Sequence, residues 1–174
     1  MIFETQRLRL RRFTLDDAPF IVQLTNTDGW LRFIGDRNTK TEELAKQYLQ
    51  NSAFKSYEMY GYGLSMVELK DTHTPLGMCG ILHRDTLPHP DIGFALLPDF
   101  EGKGYAFEIA SGLLQHATNA LSINELMAIV VPDNNRSVKL LEKLGMSLVK
   151  KFRVEGKDEE LLLYQKTLQS TAHS

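Results

Sequence analysis

Apolar residues at Ala106, Ile109, Ala110, Leu113, Leu114, Ala117 and Leu121 recur at three- and four-residue steps, which predicts a long helix ending near Leu121. Just before it, Ile92–Leu97 is a short apolar strand, and residues 101–106 form a tight turn holding Gly102 and Gly104. Two-residue alternation marks further strands at Arg7–Phe13, where Leu8 and Leu10 share a face, at Tyr62–Leu69 and at Leu76–His83. Short turns at Asp71–Pro75 and 85–90 join the middle strands into an antiparallel meander. Leu126–Val131 is apolar throughout, as in a strand buried on both faces. Alternation returns at Leu148, Lys150, Phe152 and Val154, and Leu161–Leu168 completes a final pair.

Helix starts are marked chemically. Thr14 with Asp17, and Thr39 with Glu42, are capping-box patterns that open helices reaching about Thr25 and Phe54. The stretch Asn26–Asn38 between them is expected to be irregular, although it carries Trp30, Phe33 and Ile34. Pro132, Asp133 and Asn134 end a strand and cap a helix with apolar positions Val138, Leu140, Leu141 and Leu144, and Gly145 stands where a C-terminal cap glycine belongs. The predicted order, β-α-α-β-β-β-α-β-α-β-β, is an α+β fold in one domain over residues 1–168, with 169–174 as a disordered tail.

With 174 residues, 43% of them hydrophobic, the chain suits one domain with a proper core. A net charge of −2 gives no basic footprint, which argues against nucleic acid as a partner. The one cysteine, Cys79, excludes an internal disulfide and a cysteine-rich metal site, and its apolar run makes it a buried structural thiol. Charges interrupt the first thirteen residues where a signal peptide needs an apolar core. No apolar run is long enough to span a bilayer, so a cytoplasmic protein without a membrane partner is expected. No histidine pair has ligand spacing and no Ser-His-Asp set can be assembled, so no metal is expected.

The turn Glu101-Gly102-Lys103-Gly104-Tyr105-Ala106 is the first chemical signal. A glycine-bearing turn that opens a helix aims unpaired amides at one spot, beside the positive end of the helix dipole. That suits a phosphate or diphosphate. The turn follows a meander and has only two glycines, so it is neither a dinucleotide fingerprint nor a triphosphate loop. An ordinary strand–helix connection is the alternative.

A second element, VVPDNNRSVKLLEKLGM, sharpens the choice. Together the two resemble the GNAT superfamily, the acetyl-CoA-dependent N-acetyltransferases, and more narrowly the branch of ribosomal-protein N-terminal acetyltransferases. The family's loop is Q/R-x-x-G-x-G/A; Gly104 and Ala106 match it, while Glu101 departs from it. Asn134-Asn135-Arg136-Ser137 followed by 141–146 resembles the second motif, and Thr5–Arg12 resembles the branch's first strand. The resemblance spans nearly the whole chain.

It implies that acetyl-CoA rests its diphosphate on Glu101, Gly102, Lys103, Gly104, Tyr105 and Ala106, with Asn134 and Ser137 touching the cofactor. Its pantetheine arm would lie between Ile92–Leu97 and Leu126–Val131, where a backbone amide near Phe94, Ala95, Leu96 or Leu97 meets the thioester oxygen. The usual proton-donor tyrosine is replaced by Leu141, leaving Ser137, which is equally a first-turn capping residue. Asp91 stands where the branch often has an acid and is a candidate base, or simply an acid at the start of a strand. Trp30, Arg32, Phe33, Tyr62 and His83 would shape the acceptor cleft, unless the apolar ones are tucked into the core. Two functions follow. One is direct acetyl transfer to a primary amine, on a small molecule or a protein N-terminus, by a monomer or homodimer. The other is a non-catalytic acyl-CoA-binding sensor or scaffold.

Overall fold

Leucines and arginines alternating from Leu8 to Arg11 do form a strand, and it lies near one edge of a single eight-stranded sheet. The computed structural model describes residues 1–169. In chain order the strands are β1 (Phe3–Glu4), β2 (Leu8–Arg11), β3 (Ser65–Leu69), β4 (Pro75–Leu82), β5 (Asp91–Leu96), β6 (Glu125–Val130), β7 (Ser147–Arg153) and β8 (Glu160–Thr167). Across the sheet they run β1-β2-β3-β4-β5-β6-β8-β7, and every neighbouring pair is antiparallel except β5 with β6. The helices are α1 (Ala18–Thr25), α2 (Asp28–Phe33), α3 (Glu42–Asn51), α4 (Ala53–Tyr60), α5 (Tyr105–Asn119) and α6 (Asn135–Lys143).

Strand alternation sorts the interior into two layers. Leu8, Leu10, Val67, Cys79 and Ile81 face α5 and α6, where they meet Ile109, Leu113, Leu140 and Leu141. Met66 and Met78 face the other way, against Phe20, Ile21, Leu24, Ala45, Leu49 and Trp30. β4 is thus covered on both faces, which explains its uninterrupted apolar run. Cys79 is fully buried, and burial pushes its thiol up to about 12, so it is an inert core residue as expected.

The expected meander β3-β4-β5, the long α5 and the glycine after α6 are all present; Gly145 adopts φ +84°, the left-handed cap conformation. The capping pair at the start of the first helix is also real, with the Thr14 amide donating to the Asp17 carboxylate at 2.8 Å. Four expectations need correction. Asn26–Asn38 is not wholly irregular: the Thr27 hydroxyl accepts from the Trp30 amide and starts α2, a six-residue helix whose interior glycine hides its period. The cap of α3 is Thr41, which accepts from Leu44; Thr39 instead buries its hydroxyl against Thr25. That helix stops at Ser52, whose hydroxyl turns back to the Tyr48 carbonyl, and a new helix, α4, occupies the stretch expected to lead into a strand. The strand predicted from Tyr62 therefore begins only at Ser65. β1 was not foreseen, being two residues long. Ser170–Ser174, expected as a tail, lie outside the described residues. Among the described residues no helix is long and apolar enough to cross a membrane.

Candidate active site

The parallel pair β5 and β6 shares one bridge, Asp91 with Met127, reinforced by the Met127 amide on the Pro90 carbonyl at 2.8 Å. Beyond it the two strands continue to Leu96 and Val130 with no further pairing, so a crevice opens inside the sheet. β5 stays tied to β4 along its other edge, and the Leu97 amide donates to the Leu76 carbonyl at 2.8 Å. Strand alternation then turns the Ala95 amide toward β4 as well, and leaves those of Phe94 and Leu96 facing the crevice. Of the four residues expected to offer an amide there, Ala95 and Leu97 have theirs committed to β4.

At the open end lies the glycine turn. Gly102 and Gly104 adopt φ +74° and +83°, left-handed values that side chains beyond Gly rarely take. The first donation into the new helix comes from Glu108 to the Gly104 carbonyl, and the amides of residues 102 to 107 have no hydrogen-bond partner among the described residues. The turn is braced from behind. Arg7 donates to the Lys103 carbonyl at 3.1 Å and to Glu108 at 2.7 Å, and lies 4.4 Å over the Tyr105 ring. Burial opposes ionisation of Glu108, but the Thr5 hydroxyl, the Arg7 amide and the Arg7 guanidinium outweigh it and hold the carboxyl below its usual range. A rigid row of free amides at a helix N-terminus fits the diphosphate of coenzyme A.

The first turn of α6 meets this loop. Asn134 caps the helix, accepting from the Ser137 amide at 3.2 Å. The Ser137 hydroxyl, half-buried, is bonded to no described residue. Arg136 reaches across to Glu101 at 2.7 Å. Loop and second motif, 35 positions apart, thus close one end of the crevice from both sides.

The other end is acidic and aromatic. Asp91 opens β5 and is only 1% exposed, so it is not a surface acid at the start of a strand. Burial raises its carboxyl to about 6, although the Arg84 guanidinium, 3.0 and 3.2 Å from its oxygens, and the nearby His83 both pull it down. His83, one residue past β4, stacks on Tyr60 at 4.3 Å, and Tyr60 stacks on Tyr62 at 5.7 Å. Tyr62 feels the Asp91 charge, though burial is the first cause of its raised phenol. Asp91, His83, Tyr60 and Tyr62 therefore gather where β4 and β5 meet. A broad groove of about 630 Å³ lies elsewhere, along α5 and β1, between Phe3, Arg7, Phe107 and His116. It touches the turn at Gly104, and none of the Asp91 group lines it.

Residues 7–147 match the family described as Acetyltransferase (GNAT) domain. The chain belongs to the GNAT acetyltransferase family. An uncharacterized N-acetyltransferase of Bacillus subtilis (strain 168), YoaA, is 32% identical over 157 residues, covering 89% of this chain and 84% of YoaA. Among solved structures, the ribosomal-protein-S5-alanine acetyltransferase of Vibrio fischeri superposes with TM-score 0.79 at 21% identity, covering 95% of this chain and 96% of the other. RimL, a ribosomal L7/L12 alpha-N-protein acetyltransferase in complex with coenzyme A, gives 0.78 at 17% identity, covering 96% and 97%. These two likenesses show a shared fold, the mixed sheet flanked by helices.

In this GNAT domain the remaining candidates fall unevenly. Tyr62 and His83 stand in the Asp91 group. Trp30 is 5% exposed with its indole donating to the Gly35 carbonyl, so it backs the cleft from within the core and presents no open face. Arg32 lies 4.8 Å over Phe33 on exposed α2, with no hydrogen bond to the Asp91 group. Sequence reasoning assigned no role to Arg84, Arg7 or Glu108, and Arg136 stood in the second motif without one of its own. Arg84 had a signal, an arginine seven positions before an acid across a hairpin; the Arg7–Glu108 pair, 101 positions apart, had none.

Proposed function

We propose that residues 1–168 form a single N-acetyltransferase domain that moves the acetyl group of acetyl-CoA to a primary amine by direct attack. The observation that carries this reading is the crevice between β5 and β6, with unpaired amides at one end and a buried carboxylate at the other. Acetyl-CoA, when bound, would supply the acetyl group activated as a thioester. The amides of residues 102 to 107 hold its diphosphate, assisted by Asn134, and the Phe94 and Leu96 amides give the crevice its donors for polar groups of the arm and for the acyl oxygen. Asp91 takes the proton of the incoming amine, directly or through a water, with His83 and Tyr62 guiding the acceptor past it. The Ser137 hydroxyl, unengaged, supplies a proton to the departing sulfur. Cys79 is sealed in the core, which fits direct transfer. Related folds serve both ribosomal proteins and spermidine by their descriptions, and the branch resemblance favours a protein N-terminus as acceptor.

The test is an acceptor screen of peptides and small amines with mass detection of the acetylated product. Uptake of acetyl-CoA without turnover across the panel would favour the sensor reading instead. Gly104→Val should weaken coenzyme A binding at least tenfold by calorimetry, because a left-handed β-branched residue costs roughly 1–2 kcal/mol and disturbs the amides it carries. Ser137→Ala should lower kcat about a hundredfold at saturating amine with coenzyme A affinity kept. An unchanged kcat would take Ser137 out of the proton-donor role.

A further inference from the structure

Glu101 is the residue at which this chain departs from the GNAT loop pattern, and its carboxylate stands at the mouth of the free amides. An anion there opposes the arrival of a second anion unless something neutralises it. Arg136 does so, from the first turn of α6, through one guanidinium nitrogen at 2.7 Å. The pair is poorly shielded: the Arg136 side chain is 65% exposed and that of Glu101 40%. Exposed pairs of this kind are weak, about 0.2–1 kcal/mol. A diphosphate carries more negative charge than one carboxylate and offers a guanidinium two-pronged bonds, where Glu101 engages only one nitrogen. The other arginine near the turn is not free to move, since Arg7 is held by Glu108, the Lys103 carbonyl and the Tyr105 ring together. Among the described residues Arg136 makes one hydrogen bond, to Glu101, and keeps its other donors unspent.

We propose that Arg136 is a displaceable clamp, resting on Glu101 and transferring to the diphosphate of coenzyme A when the cofactor enters. Glu101 is its built-in competitor. The exchange rests on the reading of the turn as the coenzyme A site. It makes cofactor affinity a contest between two anions for one cation, so Glu101 tunes how readily coenzyme A is released. It also links the two walls of the crevice, because Arg136 is the neighbour of Ser137 in the first turn of α6.

Calorimetric titration of coenzyme A and of dephospho-coenzyme A into wild type, Glu101→Gln, Arg136→Gln and the double variant tests this. Glu101→Gln should tighten coenzyme A about three- to tenfold, Arg136→Gln should weaken it about tenfold, and the gain from Glu101→Gln should be smaller in the Arg136→Gln background, where only direct repulsion by Glu101 is left to relieve. Dephospho-coenzyme A should show the same pattern, since it keeps the diphosphate. Equal gains from Glu101→Gln in both backgrounds would reduce Glu101 to simple repulsion and overturn the clamp. So would weaker binding by Glu101→Gln, or a pattern confined to coenzyme A bearing its 3′-phosphate. Failure of wild type to bind coenzyme A at all would remove the proposed function and the clamp with it. Melting temperatures of the four proteins should coincide, which separates these outcomes from misfolding.

Discussion

Asp91→Asn is expected to cut kcat/KM by about 10²- to 10⁴-fold while leaving the protein at least as stable as before at pH 7. The two effects have one cause. Burial raises the Asp91 carboxyl from 3.8 to about 6, so the folded chain keeps a proton that the unfolded chain has already released. Its stabilising contribution is complete below pH 3.8 and disappears as pH climbs through about 6. At neutral pH the fold therefore carries a charge at a cost of up to about 3 kcal/mol. Asparagine keeps the shape and sheds that cost, and the half-exposed Arg84 can be solvated in its place. Activity should run the other way, because the base works only once deprotonated. The wild-type kcat/KM should rise with pH through about 6, and the variant should lack that limb. Melts at pH 5 and 7.5 should show wild type losing stability relative to Asp91→Asn. Wild-type turnover by the variant would end the assignment of Asp91 as base.

Gly80→Ala should lower stability by about 3 kcal/mol, a fall in Tm of about 10 °C for a chain of this length. Gly80 pairs with Gly93 across β4 and β5, and a Cβ there would come within 2.7 Å of the Leu64 Cα and closer still to the Gly63 carbonyl. Those are backbone atoms, so no side chain can step aside. The segment pressed against Gly80 joins α4 to β3 and includes Tyr62, which places the acceptor end under the same strain. A Tm within about 2 °C of wild type would refute the close approach.

How legible the molecule was depended on how far each feature reached along the chain. The helix α5, its glycine turn, the Asn134 cap and the meander are local patterns of period, punctuation and capping, and all were readable. α2 has only six residues and an interior glycine, and α4 follows a break made by the Ser52 hydroxyl, so neither left a clean period. The placement of Asp91 at the start of a strand was visible, but its burial depends on the fold around it. Glu101 stood out as unusual, while its partner Arg136 became evident only when the crevice brought the two together. Long-range ion pairs such as Arg7 with Glu108 have no sequence signature.

The single bridge between β5 and β6 has a kinetic consequence. Because the strands are joined at Asp91 and part only beyond it, the crevice opens toward the amide turn and is closed at the Asp91 end. A cofactor arm entering at the turn stops short of the bridge. On the proposed function of direct attack the amine must meet the acyl group while that arm is seated, so both substrates occupy the enzyme before either product leaves, and catalysis proceeds through a ternary complex.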